Sequence, residues 1–508
     1  MNAKSTQYLK MFNIIFVVFI LLSYVMLDSQ ICNAAVYLDG SASGCSDGTT
    51  TYNPTTQSCG GGSDTVYTSL SSFNTNIVAG ATNYIRAGNY YRVSNPTHST
   101  QNNAEKVGAL RIVSAKSGTS GKPTRIQAYP GEERQVVIAT DTDRFLYNSN
   151  PTDSTVPSTT KSNGSWAYYP NAAVSIEGNY ITVDGIKTYG QVVLQDVGGG
   201  SMIHDSGIQN SDIGGGGPAG NQGQTVRIAS AHDVFVKNNY IHHSCFGDGN
   251  ALNGSALMGY SFAAIIENNT FENTVGDSVR LKDALGMSAY TTYIRNNLFL
   301  PSTLDPSGTH YGVETVTQND QLGNLYINNN IFVGTGLLWT WSSVGTNLAY
   351  NNTFINCATT GISAVNEQNT LNTFSFFNNV FYRQSGGDHL LIGNAGVAAH
   401  LKAADYNVYY ASSSATWNVR PSYSTTLLSS WQPYSSRDAN SIYSNPNFVN
   451  ASGRTAADFK RTSYAEYFTG SPYGTYAGAY QTGNEVIGAT QTPLVTAPNI
   501  KSYKATNP

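Results

Sequence analysis

Short runs of alternating apolar and polar residues recur through the middle of the chain, each built around an Asn-Asn dipeptide. The second asparagines of six such pairs follow one another at intervals of 30, 28, 33, 22 and 27 residues: Asn239, Asn269, Asn297, Asn330, Asn352 and Asn379. Two positions after them stand Ile241, Phe271, Phe299, Phe332, Phe354 and Phe381. Each unit is therefore predicted to contain a short strand, a bend and a second short strand.

Units of this size cannot bury their own apolar faces, so they must stack on one another. Coaxial stacking at about 4.8 Å per rung aligns like residues. We therefore expect an internal aromatic stack from Phe271 to Phe381. We also expect asparagines at the bend, which tolerate left-handed backbone and bond to the rungs above and below. The pattern predicts an all-β chain folded as a right-handed parallel β-helix, a solenoid. An α-solenoid would show a 3.6-residue period, and a propeller would need about 40 residues per repeat.

The alternation starts before the first Asn-Asn pair and fades after residue 400. Segments 110–113, 124–128 and 179–186 already show it. We expect an N-terminal cap with the first rungs over residues 36–100, the β-helix over 101–400, and an irregular C-terminal cap or wrapping segment over 401–508. Both ends need cover, because open strand edges invite association.

The first 35 residues have the features of a secretory signal peptide. Lys4 and Lys10 precede an apolar run from Met11 to Leu27, and small residues follow at Ala34 and Ala35. Cleavage is predicted near these alanines. The alternative is an uncleaved anchor, since the run of about 17 residues approaches spanning length. No second apolar run of that length follows, so we expect an exported, soluble chain without membrane attachment.

Composition narrows the function classes. Charged residues make up 11% of the chain, against about 25% in typical proteins. The net charge of −4 provides no bulk attraction to nucleic acid or anionic membranes. The low charge and the abundance of Gly, Asn, Ser, Thr and Tyr are typical of an extracellular β protein, which we expect to be a monomer.

Four cysteines remain after residue 35. Cys45 and Cys59 lie close together in a Gly/Ser/Thr-rich segment, and export permits oxidation, so we predict a disulfide between them. Cys245 and Cys357 are predicted to be buried turn residues. Spacings of the zinc-finger type are absent from the sequence.

One face of the repeat concentrates charge. Segment 276–282 is predicted to be the third strand of one repeat unit. Alternation along this strand directs Val279 and Leu281 inward and Arg280 and Lys282 outward. The same alignment predicts further outward residues on this face: Arg227, Asn253, Glu314, Trp339 and Trp341. The alternative interpretation is structural: solvated cations paired with acids such as Glu314 or Asp277, and tryptophans that pack at an edge. On another face, Lys237, Glu267 and Arg295 align on consecutive rungs and are predicted to form a surface charge ladder.

Segments 83–91 and 117–131 resemble the opening rungs of secreted polysaccharide lyases. The likeness is to the pectate-lyase-like superfamily, including its chondroitinase-B/alginate-lyase and pectate-lyase groups. Segment 438–448 and the Asn-Asn-x-Phe rungs fit the same kind of protein, and the resemblance covers most of residues 36–480. It implies a β-helix that acts on an acidic polysaccharide. Such folds also carry hydrolases, epimerases, adhesins and phage tailspikes, so the reaction must be argued from the site.

Cleavage of a uronate polymer by β-elimination requires three functions. The carboxylate is neutralised, the C5 proton is abstracted, and the leaving oxygen is protonated. Lys282 is the candidate base, because neighbouring cations disfavour its charged form. Arg280 and Arg227 are candidates to hold carboxylates, and His310 and Tyr311 are candidate proton donors. Asn253, Glu314, Trp339 and Trp341 are candidate substrate contacts, with the tryptophans stacking on sugar rings.

The likeness to these lyases is incomplete at the site. Chondroitinase-B-like lyases place a Lys and, one rung later, an Arg before His-Gly. Lys282 matches that Lys, whereas segment 310–314, His-Tyr-Gly-Val-Glu, has no Arg. The calcium cluster of one pectate-lyase family, Asp-Asp-Gly-Trp-Asp, is also missing. Calcium is a possible cofactor, with Asp248, Asp277 and Glu272 as oxygen ligands; the alternative role for the aspartates is bend capping.

Two other functions fit the same sequence. A β-helix glycoside hydrolase would use paired carboxylates, for which Asp248, Asp277 and Glu314 are available. A non-catalytic adhesin or glycan-binding surface protein would need only aromatic contacts. A lyase that acts on an acidic, uronate-containing polysaccharide is the favoured prediction.

Overall fold

The computed structural model describes residues 34–91, 108–139, 172–196, 202–214, 224–244, 255–274, 276–282, 290–302, 311–316, 323–339, 345–357, 365–367, 374–384, 387–392, 401–463 and 467–490. The expected signal peptide lies outside these residues except for Ala34 and Ala35. Among the described helices none is long and apolar enough to cross a membrane.

Short strands account for nearly all the regular structure. The first nineteen are β1 (Val36–Leu38), β2 (Thr49–Asn53), β3 (Ser58–Cys59), β4 (Asp64–Tyr67), β5 (Thr82–Ile85), β6 (Gly88–Tyr91), β7 (Leu110–Ile112), β8 (Thr124–Ala128), β9 (Val136–Ala139), β10 (Ala172–Ile176), β11 (Ile181–Asp184), β12 (Lys187–Tyr189), β13 (Gln191–Leu194), β14 (Ile203–His204), β15 (Gly207–Gln209), β16 (Asp212–Gly214), β17 (Val226–Lys237), β18 (Tyr240–Ser244) and β19 (Leu257–Glu267). The others are β20 (Thr270–Thr274), β21 (Val279–Lys282), β22 (Thr291–Arg295), β23 (Leu298–Phe299), β24 (Val313–Val316), β25 (Asn324–Asn328), β26 (Ile331–Val333), β27 (Leu337–Trp339), β28 (Asn347–Tyr350), β29 (Thr353–Ile355), β30 (Val365–Glu367), β31 (Phe374–Phe377), β32 (Val380–Arg383), β33 (Gly387–Ile392), β34 (Leu401–Asp405), β35 (Val408–Ala411), β36 (Ala415–Val419), β37 (Tyr423–Thr425) and β38 (Ile442–Tyr443).

Two α-helices and two 3₁₀-helices complete the described elements: α1 (Leu70–Asn76), α2 (Leu428–Ser435), Ser114–Lys116 and Ala456–Phe459. Leu70 and Phe73 of α1 join the main hydrophobic core, as do Leu428 and Trp431 of α2. A helix therefore packs on the core early in the chain and another packs on it late.

The strands pair in parallel between successive rungs, which makes the molecule a parallel β-helix and confirms the predicted fold class. Three faces recur in each turn. Sheet 1 runs through β7, β10, β13, the first half of β17 and of β19, β21, β24, β27, β30, β33 and β36. Sheet 2 runs from β5 through β8, β11 and β15 to the second halves of β17 and β19, and then to β22, β25, β28, β31 and β34. Sheet 3 is the 12-stranded sheet from β6 to β38.

The predicted aromatic stack fills the interior behind sheet 3. Neighbouring rings lie 4.6 to 5.0 Å apart and within 9° of parallel, from Phe271 through Phe299, Phe332, Phe354 and Phe381 to Tyr409. The rungs place identical side chains one above another, so each ring covers the face of the next.

The two asparagines of each pair have different roles at the bend between sheets 2 and 3. The first is left-handed, with φ from 53° to 57° at Asn238, Asn268, Asn296, Asn329, Asn351 and Asn378. The second is fully buried. Its side-chain oxygen accepts from the backbone and side-chain nitrogens of the preceding rung, as Asn330 does from Asn297 at 2.9 and 3.0 Å. The predicted ladder is confirmed, and Ser441 and Asp438 terminate it at Asn407.

Strand pairing is present on both sides of residues 101–400. β1 already pairs with β5 in sheet 2, and β34 to β36 continue the rungs beyond residue 400. Segment 467–490, here called the strap, then returns along the outside over sheet 3. Ala479, Tyr480 and Ile487 of the strap pack against an apolar group that includes Leu298 and Ile331.

The strap binds the outward asparagines and threonines of the bend. Gly478 and Gly488 donate to the carbonyls of Asn378 and Asn296, at 2.7 and 2.8 Å. The alanine after each glycine donates to a threonine hydroxyl: Ala479 to Thr353 and Ala489 to Thr270. The same Gly-Ala pair, ten residues apart, thus docks twice in the same way.

Two further predictions concern cysteines and surface charge. Cys45 and Cys59 form the predicted disulfide, and Cys357 is free and buried, whereas Cys245 lies outside the described residues. Glu267 bridges Lys237 at 3.7 Å and Arg295 at 2.9 Å on consecutive rungs of sheet 2, so the predicted charge ladder is confirmed.

Candidate functional site

The candidate site lies on the outer face of sheet 1. Strand register places Arg227, Met258, Arg280 and Glu314 in one column on four consecutive rungs. Val279 and Leu281 are buried beneath this face, as the alternation predicts. Arg227, Arg280 and Lys282 are half-buried, so the column holds its charges at the surface of a rigid sheet.

Arg280 and Glu314 form an ion pair across neighbouring rungs. The guanidinium Nε lies 2.8 Å from the Glu314 Oε2, with side chains 13% and 10% exposed. This contact is the pairing of a cation with Glu314 that the structural interpretation of the sequence predicts. It does not consume the whole cluster, because Lys282 lies two residues along the same strand, about 7 Å away at the usual rise per residue.

A second carboxyl group meets Glu314 inside the site. Asp277, just before β21, shares a hydrogen bond with Glu314 and accepts one from the backbone N–H of Tyr311 at 3.0 Å. Burial, together with the hydrogen bond and charge of Asp277, raises the pKa of Glu314 well above its usual range. At neutral pH the pair therefore retains a proton.

Lys282 has the opposite shift. Burial and the neighbouring Arg280 lower the pKa of Lys282, with a further contribution from Arg227, while Glu314 acts against them. A lysine with a lowered pKa has more of its neutral, proton-accepting form at a given pH, which is the condition for a general base.

The prediction that Trp339 faces outward is wrong. Trp339 is 1% exposed and stacks on Phe374 in the core, with ring centroids 4.9 Å apart. It pairs with the buried Thr315, so Leu338 is the residue in register with Glu314. The sequence alignment was one residue out at this rung, and a shift of one residue moves a side chain to the opposite face.

Four predicted site residues, His310, Asn253, Trp341 and Asp248, lie outside the described residues. Tyr311 is described and is 9% exposed. Its backbone is tied to the site on both sides, because its carbonyl accepts from the Ser278 N–H at 2.9 Å while its own N–H reaches Asp277.

Glu272 belongs to a different cluster, on the outer face of sheet 3. It accepts from the Tyr240 hydroxyl at 2.6 Å and from Arg454 at 2.9 Å. These partners, with burial opposing them, lower its pKa. Nearby, Asp212 lies 2.6 Å from His242 and 3.2 Å from Lys187.

The described carboxylates do not assemble the calcium site suggested by the sequence. Glu272 is held by Tyr240 and Arg454, and Asp277 is held by Glu314 and Tyr311. Within the described ranges, no three His, Cys, Asp or Glu side chains are grouped so that they could hold a metal ion.

Sequence reasoning overlooked a pair of His-Asp dipeptides on neighbouring rungs. His204 and His232 are in register, with rings stacked 5.2 Å apart. Each Nδ1 lies 2.8 Å from the following aspartate, Asp205 or Asp233. The available signal was the dipeptide itself, repeated after 28 residues, the spacing of one rung.

No protein-family model matches the chain, and no curated protein matches it in sequence. Among solved structures, pectate lyase Pel9A matches at 12% identity and a TM-score of 0.47, over 88% of this chain and 97% of that one. A mannuronic acid specific polysaccharide family 6 lyase from human gut microbiota matches at 13% and 0.37, over 68% and 71%. A rhamnogalacturonan lyase matches at 12% and 0.37, over 82% and 91%.

At these identities and TM-scores the fold itself rests on the strand pairing, and the function rests on the chemistry of the site.

Proposed function

We propose that this chain is a secreted lyase that cleaves an acidic, uronate-containing polysaccharide by β-elimination, with Lys282 as the general base. The observation that carries the proposal is the setting of Lys282. It is a half-buried lysine with a lowered pKa, beside Arg280 and with Arg227 on the same face.

In the proposed reaction, Arg280 neutralises the carboxylate of the reacting uronate, which acidifies the C5–H bond, and Arg227 holds another carboxylate of the substrate. Neutral Lys282 accepts the C5 proton, a double bond forms between C4 and C5, and the C4–O bond breaks. The leaving oxygen takes up a proton. His310 and Tyr311 are candidates for that donor, and the proton retained by Asp277 and Glu314 is a third source.

The geometry of Asp277 and Glu314 weakens the hydrolase alternative for this pair, while Asp248, the third carboxylate of that alternative, lies outside the described residues. Inverting hydrolases separate their two carboxyl groups by about 6.5–9.5 Å and retaining ones by about 5–5.5 Å. Asp277 and Glu314 share a hydrogen bond, which is closer than either arrangement. The glycan-binding alternative loses one of its two predicted platforms, because Trp339 is buried.

The test is product absorbance in the ultraviolet. Purified protein is incubated with pectate, alginate, chondroitin, hyaluronan and ulvan, with and without calcium. The expected result is a rise from the unsaturated uronate with at least one polymer. Lys282→Ala should lower its rate about 10²–10⁴-fold, the usual contribution of a general base.

Lys237→Ala is the matched control, since Lys237 is a half-buried lysine on sheet 2 and should leave the rate unchanged. New reducing ends without a rise in absorbance would mean that the polymer is cleaved by hydrolysis and not by elimination. An active Lys282→Ala would remove Lys282 from the role of base.

A further inference from the structure

Charge on the outer face of sheet 1 is spaced differently from charge on sheet 2. On sheet 2 the rung between Lys237 and Arg295 carries Glu267, which bridges both cations. On sheet 1 the rung between Arg227 and Arg280 carries Met258, which has no charge. A ladder that served only to stabilise the sheet would place an acid at this position, as sheet 2 does.

The sequence of the column limits where an anionic ligand can bind. Arg227 is preceded in register by the buried Val193, and Arg280 is followed by Glu314 and then Leu338. From Val193 to Leu338, therefore, only Arg227 and Arg280 contribute positive charge to the column. Two rungs of a parallel sheet separate them, a distance of roughly 10 Å.

This separation is close to the length of two sugar units in an extended polysaccharide chain. Resting on the proposed function, we propose that Arg227 and Arg280 bind two carboxylates of one polymer chain, two sugars apart and on the same side. The substrate is then an extended uronate polymer that presents a carboxylate to the protein at every second sugar.

The position of Lys282 assigns different tasks to the two arginines. Lys282 lies on the strand of Arg280, so the uronate held by Arg280 is the one that loses its C5 proton. Arg227 lies two rungs away and holds the chain without touching the reacting sugar. Loss of Arg227 should therefore weaken binding, whereas loss of Arg280 should also slow the chemical step.

The experiment measures KM and kcat on size-defined uronate oligomers that lengthen by one sugar at a time. Arg227→Gln should raise KM about 10- to 100-fold on long oligomers, as for a lost hydrogen bond to a charged group, with kcat within twofold when the two proteins are compared at a pH above the acidic limb, where Lys282 is neutral in both. The ratio of variant to wild-type KM should step up when the oligomer gains the second sugar beyond the cleaved uronate. Arg295→Gln, which removes the same charge from sheet 2, should change neither constant.

Met258→Glu provides a gain-of-charge test. It would place an acid between Arg227 and Arg280, as Glu267 lies between Lys237 and Arg295 on sheet 2. It should therefore raise KM on long oligomers, as Arg227→Gln does. A step at the first additional sugar, a loss of kcat in Arg227→Gln equal to that in Arg280→Gln, or unaltered binding in both variants would overturn the proposal.

Failure of the lyase function has a different signature. If no polymer yields an unsaturated product, calorimetric binding of the same oligomers to wild type and Arg227→Gln still reports the spacing. If the loss of affinity in Arg227→Gln appears when the oligomer gains its second additional sugar, the site for two carboxylates is supported even though the protein does not catalyse elimination. Absence of that loss at the second sugar would overturn it.

Discussion

The bend between sheets 2 and 3 and the outer face of sheet 1 are built on the same rungs but follow opposite rules. At the bend, a buried asparagine and a stacked ring recur from rung to rung. On sheet 1, Arg227, Met258, Arg280 and Glu314 succeed one another without repetition. A solenoid that needs only to stack can use one solution throughout, so a departure from the repeat marks a position that the fold does not require.

The comparison also separates two kinds of polar burial. The six ladder asparagines from Asn239 to Asn379 bond to other asparagines and to backbone groups, and none of these partners titrates. The sheet 1 cluster instead gathers acids and bases whose pKa values move in useful directions, up for Glu314 and down for Lys282. The first arrangement holds the structure together, and the second is typical of functional sites.

The largest effect is expected from breaking the ladder itself. Asn330→Ala removes acceptors for two nitrogens of Asn297 and a donor to the Ile294 carbonyl. Buried groups left without partners should cost roughly 2–5 kcal/mol in the free energy of unfolding. Chemical denaturation followed by circular dichroism measures the loss.

The neighbouring Asn329 is the control within the same pair. Asn329→Ala removes a part-buried hydrogen bond to the Ala479 carbonyl and the acceptor of the Asn328 side-chain amide. It also leaves alanine in left-handed backbone, a cost of about 1–2 kcal/mol. Asn329→Gly should recover part of it. Equal losses at Asn329 and Asn330 would contradict the division of roles between the two asparagines.

An intermediate effect is expected where the strap meets the bend. Gly488 has φ +78°, and a Cβ there would lie 2.8 Å from the Thr270 hydroxyl oxygen. Gly488→Ala should therefore cost about 1–3 kcal/mol through overpacking, in addition to the left-handed penalty. Faster amide exchange at Ala489, which donates to Thr270, would report local release of the strap.

Gly44 separates the two contributions, since it has φ +66° with nothing within 4 Å of the added Cβ. Gly44→Ala should show the backbone penalty alone and leave exchange at Ala489 unchanged. If Gly488→Ala behaves in the same way as Gly44→Ala, close packing does not hold the strap at this point.

The smallest effect, and the one most specific to sheet 1, is expected in the pH dependence of the reaction rate. The neutral form of Lys282 is the active base, so the rate rises as pH passes upward through its pKa. Arg280 lowers that pKa, so Arg280→Gln raises it. The acidic limb of the kcat/KM profile should then move to higher pH. Arg295→Gln should leave the acidic limb in place. If the limb does not move in Arg280→Gln either, then it does not report the titration of Lys282.

Repetition explains which parts of the fold could be read in the sequence. Six Asn-Asn units repeat the same pattern, so the predicted register of Phe271 or Asn330 is supported by all of them and does not depend on any single unit. Sheet 1 has no such redundancy. The number of residues between a sheet 3 strand and the next sheet 1 strand varies from rung to rung, and at Trp339 an alignment error of one residue was enough to exchange inside for outside.

The sequence by itself determined the rung period, the aromatic stack, the asparagine ladder, the disulfide between Cys45 and Cys59, and the outward direction of Arg280 and Lys282. These depend on local alternation and repetition, which are visible in a linear chain. Tertiary structure alone decided that Asp277 meets Glu314, that Glu272 is bound to Arg454, and that the strap returns to Asn238 across 252 residues. Such contacts join segments far apart in sequence, and only the closing of the coils brings them together.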